Sequence, residues 1–177
     1  VSGARRQTHQ RFQHGGDVRS AQPVVPVASL FLRHDQAAGL KLAETLPAAE
    51  GMRRRLDFLL KLGTLLIVVR GYQSSEVEDA YLRAAEIGEK LGDGPGSFKA
   101  KWGLWLHDSM TRKTRLARDR ARELVTLAER SGDGDLLLEA YHCRWATAFF
   151  CGDVAAALDD CRIGVNSYDM TKHRHLA

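Results

Sequence analysis

The stretch from Leu62 to Asp93, LGTLLIVVRGYQSSEVEDAYLRAAEIGEKLGD, restricts what this chain can fold into more than any other. It reads as a helix running to Arg70, a stop at Gly71, and a second helix ending at Gly92. In that second helix Val77, Ala80, Tyr81, Ala84, Ile87, Gly88 and Leu91 recur at helical spacing, and Glu76, Asp79, Arg83, Glu86, Glu89 and Lys90 fill the other side. A stripe of this kind needs a partner to bury it. Its alanines and glycine let a neighbouring helix approach closely. Ser75 and Glu78 fit a capping box, in which each side chain satisfies a backbone donor at the helix start. The first helix is apolar almost all round beyond Leu62, the pattern of a helix covered on several sides.

The same device returns along the chain. Residues 36–46 form a modest helix closed by Pro47, and the pattern from Glu50 to Arg70 is strongly helical. After the break Gly92-Asp93-Gly94-Pro95-Gly96, Ser97 serves as a cap for a helix to about Met110 that carries Phe98, Trp102, Leu104, Trp105 and Leu106. Helices over 113–130 and 135–151 follow, and Gly152-Asp153 turns the chain into a last one with Val154, Ala157, Leu158, Cys161 and Val165. No segment alternates with period two, so the fold class is all-α. LGDG at 91–94 recurs as SGDG at 131–134, and Ala80, Ala121 and Ala157 hold equivalent places in three successive pairs. Two helices per unit at a fixed period predict a helical-hairpin solenoid of about three helix pairs over residues 34–177, incomplete at its C-terminal end. Such a stack exposes apolar end faces, and self-association through them is expected.

These blocks, together with KWGLW, LVTLAERSGD, GDVAAALDDCRIGVNSYD and HRHLA, resemble the tetratricopeptide-like segment of large bacterial ATPase-containing regulators and adenylate or guanylate cyclase-type multidomain proteins. The resemblance covers residues 36–177. With Gly152 as the inter-helix glycine, it puts Tyr141 on a large aromatic position and Val154, Ala157 and Cys161 on the bulky, small and second large positions of the following helix. Trp145 departs, standing where a small residue is usual, and the two earlier pairs need five or six extra residues in their turns. In that family a cyclase or DNA-binding domain and an ATPase module precede the repeats. Neither is visible here, so the resemblance implies a segment cut from a longer regulator.

Composition supports a folded, intracellular reading. Apolar residues make up 44% and charged residues 27%, enough for one real core. The net charge of +4 is local: residues 1–34 hold Arg5, Arg6, Arg11, Arg19 and Arg33 against Asp17, and the rest is balanced. Residues 1–33 are expected to be disordered or a truncated leader, with Pro23–Leu32 able to form a short segment. Cys143, Cys151 and Cys161 lack a C-x-x-C spacing and read as small buried thiols in a reducing cytoplasm. No run reaches the ~18–20 apolar residues of a membrane span.

Catalytic chemistry finds no foothold. The glycine run 92–96 lacks the Gly-Lys-Ser/Thr of a phosphate loop, and Lys99 is misplaced for that role. His142, Cys143, Cys151 and Cys161 do not converge on a metal, because neighbours such as His142 and Cys143 point to different sides of a helix. His173 and His175 read as tail residues. The chain is therefore expected to be a non-enzyme without cofactors, a scaffold for protein–protein or interdomain contact. Its candidate interaction surface is Trp102, Trp105, Tyr141 and Trp145. Arg115, Arg118 and Arg122 share one side of a helix and form a candidate basic patch, but Asp119 and Glu123 interrupt it, which disfavours nucleic acid as a partner. The alternative is a part of a cyclase or ATPase whose catalytic domains lie outside this chain.

Overall fold

Among the described residues, five with left-handed backbone divide the chain: Gly71, Gly92, Arg112, Gly132 and Gly152, with φ between 59° and 85°. Four of the five are glycine, which enters this region without a Cβ penalty and ends helices for that reason. The breaks alternate in two series, Gly92 with Gly132 and Gly71 with Arg112 and Gly152, each recurring after 40 or 41 residues. A computed structural model describes residues 47–173, together with Ala38 and Lys41. The leader at 1–33, the segment Pro23–Leu32, the helix over 36–46 and His175 lie outside the described residues.

Between the breaks run six helices: α1 (Ala48–Arg70), α2 (Ser75–Leu91), α3 (Gly94–Met110), α4 (Thr114–Ser131), α5 (Gly134–Phe150) and α6 (Val154–Ser167). Among the described residues there is no strand, so the chain is all-α as the periodicity predicts. None of these helices is long and apolar enough to cross a membrane.

The starts of these helices correct the sequence reading. The side chain that caps α2 is Ser74, which accepts from the Glu76 amide at 3.1 Å, and Glu78 is drawn away to Lys113. Helix α3 begins at Gly94 because Asp93 caps it, accepting from the Gly96 amide at 2.8 Å, and Pro95 suits the first turn. Ser97 is thus buried inside α3 and packs against Gly88, where an added Cβ would stand 2.6 Å from the Ser97 hydroxyl. Asp133 and Asp153 cap α5 and α6 in the same way. The turns hold only two to four residues, so the length expected in them lies in the helices instead.

Each helix packs on its neighbours in sequence, and α1 also touches α3, which touches α5. The odd-numbered helices therefore stand side by side with the even-numbered ones behind them. One core cluster gathers Leu56, Leu59, Leu62 and Leu66 of α1 with Val77, Ala80, Tyr81 and Ala84 of α2 and Leu104 of α3. A second gathers Phe98 and Trp105 of α3 with Ala117, Ala121, Leu124 and Val125 of α4 and Ala140, Cys143 and Ala146 of α5. Full burial of each leucine in these clusters contributes about 1.5–3 kcal/mol. Helix α1 is less enclosed than its sequence suggests: Leu65 and Val68 are exposed, the latter by 79%. In α6 only Ala157 and Asp160 are buried, and the Arg144 guanidinium grips the Asp160 carboxylate through both of its oxygens.

Candidate functional site

The layer of odd-numbered helices is built around one ring. Tyr81 of α2 reaches forward between α1 and α3, and it does so because both helices present a glycine there. A Cβ on Gly63 would lie 2.6 Å from the ring, and one on Gly103 would lie 2.5 Å from it. Either addition is well inside contact distance, so the ring fits only where both Cβ atoms are missing. The phenol oxygen lies 3.4 Å from the Thr64 hydroxyl, and burial pushes the Tyr81 pKa up.

In front of Tyr81 a groove of about 570 Å³ opens across α1, α3 and α5. Asp57, Leu60, Lys61 and Thr64 form one wall, Phe98, Lys99 and Trp102 the floor, and Asp135, Leu136 and Glu139 the other wall. This is an apolar trough with a charged rim. On its rim His142 holds the Glu139 carboxyl below the usual glutamate range, with Nδ1 3.6 Å from Oε2.

The four aromatic residues nominated from sequence do not form one surface. Trp102 lines the groove. Trp105 is core, 5% exposed, and its indole donates to the Thr147 hydroxyl at 2.8 Å. Exposed His142 lies between Trp105 and Trp145, with ring centroids 5.9 and 5.3 Å away, and Trp145 is half-buried against the second core cluster. Tyr141 turns toward α6, and the Arg144 guanidinium lies 4.9 Å over its ring. Arg115, Arg118 and Arg122 are brought together along a shallow cleft with Thr114, Asp119 and Cys151, and Arg122 pairs with Asp119 at 3.5 Å. Of the cysteines only Cys143 is buried. Cys151 and Cys161 are half-buried, because they sit at the open end of the stack. His142 is exposed and Cys143 buried, as adjacent helix positions about 100° apart allow. His173 is no idle tail residue: it is buried, accepts from the Asp169 amide at 2.8 Å, and approaches Asp135 with Nε2 at 3.6 Å.

A second constellation escapes sequence reading. Glu78 from the start of α2 meets His107 and Asp108 from the end of α3, and one ligand atom from each lies within 4.8 Å of the others. His107 and Asp108 are 3% and 1% exposed. Arg120 of α4 holds Asp108 Oδ2 at 2.7 Å. Lys113 stands 2.8 Å from Glu78 Oε1 and 3.6 Å from Asp108 Oδ1. Lys113 follows Arg112, whose left-handed backbone (φ 59°) stands where the other pairs carry glycine. The Glu78 carboxyl is held low, chiefly by the hydrogen bond from Lys113.

No family model matches the chain, and no solved structure matches it. An uncharacterized protein of Rhizobium meliloti (strain 1021) is 27% identical over 160 residues. The match takes in 89% of this chain but only 15% of that relative, so the chain spans a small part of the curated protein it resembles.

Proposed function

We propose that this chain is a tetratricopeptide-like helical-repeat scaffold that binds a segment of another protein, or of a neighbouring domain, in the groove across α1, α3 and α5. The observation that carries this reading is the trough itself, with half-buried Trp102 and Leu136 over buried Phe98 between charged rims. Support for the repeat comes from the 40-residue recurrence of the helix breaks and from the contacts linking the odd-numbered helices. The chain works by contact and not by turnover, as a cytoplasmic module of a larger signalling or transcriptional regulator. The length of the Rhizobium relative fits that placement, since the similar region is 15% of it.

A displayed library of random peptides, selected on the whole chain, tests the groove. The expected result is a family of binders sharing apolar anchors, whose affinity falls at least about tenfold for Trp102→Ala and Leu136→Glu, a loss of about 1.4 kcal/mol or more. Binders indifferent to both changes would remove the groove from the argument. Magnesium-dependent ATP turnover by the chain alone would overturn the non-catalytic reading.

A further inference from the structure

We propose that Glu78, His107 and Asp108 form a site for one divalent cation of the zinc or manganese class, and that Lys113 is the built-in competitor for it. The site lies apart from the groove, where α2 meets the α3–α4 turn, and stands on its own observations.

Three observations carry it. The ligand atoms converge from two helices to within 4.8 Å, a spacing a single ion can close with small side-chain movements. His107 Nδ1 is buried without a hydrogen-bond partner while facing Asp108 Oδ1 at 3.6 Å. A buried nitrogen left unsatisfied is costly, and coordination would relieve it. Third, Arg120 engages Asp108 through Oδ2, which orients the carboxylate with Oδ1 toward His107 and Lys113, the arrangement by which an outer partner positions a metal ligand.

Lys113 explains how so acidic a corner can be stable without an ion. Its ammonium sits between Glu78 Oε1 and Asp108 Oδ1, a place suited to a cation of either kind. The lysine side chain is 36% exposed and issues from a turn, so it can swing into solvent when an ion enters. The donor set decides the class of ion. One imidazole and two carboxylates suit zinc or manganese, whereas calcium and magnesium favour all-oxygen shells with more ligands.

The test titrates the full chain with Zn²⁺ by calorimetry and with Co²⁺ by visible absorption, comparing the wild type with Lys113→Met. One ion per chain is expected, bound about tenfold or more tightly by the lysine variant and accompanied by d–d bands of Co²⁺ in a low-symmetry site. Glu78→Gln in the Lys113→Met background should weaken binding at least about tenfold while the helical circular dichroism is retained; Glu78 is a third exposed, so the fold tolerates the change. Absence of binding in both wild type and Lys113→Met would overturn the proposal. So would equal affinity in the two, or binding that survives Glu78→Gln.

Discussion

Gly63→Ala tests whether Tyr81 is the pin of the fold. The new methyl would sit 2.6 Å from the ring, whereas ordinary contact begins at 3.4 Å, so the ring has to recede by about 0.8 Å. It recedes toward Gly103, where space is equally short, and neither helix yields easily because Leu59, Leu62 and Leu104 are packed around them. Overpacking of this kind costs about 1–3 kcal/mol, while alanine gains about 1 kcal/mol over glycine inside a helix, which leaves a net loss of up to about 2 kcal/mol. Urea denaturation should show a lower midpoint with an unchanged slope. Gly164→Ala is the matched control: nothing lies within 4 Å of its added Cβ, and it should gain about 0.5–1 kcal/mol. In a Tyr81→Ala background the Gly63→Ala penalty should vanish, exposing the coupling directly. If Gly63→Ala stabilises the native chain as Gly164→Ala does, the pin argument fails.

Trp105→Phe removes the donor to the Thr147 hydroxyl and leaves a small void, and it should cost about 2 kcal/mol by the same urea assay. Burial pushes the Cys143 thiol well above its usual range, so iodoacetamide should label Cys151 and Cys161 in the native protein, and Cys143 only after unfolding, as read by peptide mass spectrometry. The Glu139 carboxyl is depressed by His142, so its contribution to stability is present above the ordinary value of 4.5 and is lost as pH falls through the lower folded value. Glu139→Gln should therefore flatten the acid end of a stability–pH curve measured by thermal melting.

What could be read from the sequence was what helices encode locally. The Val77, Ala80, Tyr81, Ala84, Gly88 stripe is buried as its spacing requires, and Gly71, Gly92, Gly132 and Gly152 stop helices as glycine does. The caps were misassigned because Asp93 lies inside a glycine-rich run that reads as an irregular break, although an aspartate after a left-handed glycine is a strong start signal. The break after Met110 is legible, but the positive φ of Arg112 within it is not, since an arginine is held there by its surroundings and not by its own preference. Close approach is expected from Ala80, Ala84 and Gly88, and Gly88 does meet Ser97 closely, but Gly63 and Gly103 are just as tight, against a ring that comes from a third helix. The cluster of Glu78, His107 and Asp108 joins residues far apart in the chain, and only the stacking of α2 on α3 reveals it.

Helix α3 gives Leu104 to one core cluster and, one residue later, Trp105 to the other. Neither cluster can melt while its counterpart keeps α3 in place, so α1 to α5 should behave as a single cooperative unit in native-state hydrogen exchange. Helix α6 buries little beyond Ala157 and Asp160 and depends on the grip of Arg144. Its amides should exchange through a separate, cheaper opening that leaves α1 to α5 protected, so that among these helices α6 is the first to come undone and the last to be added on folding.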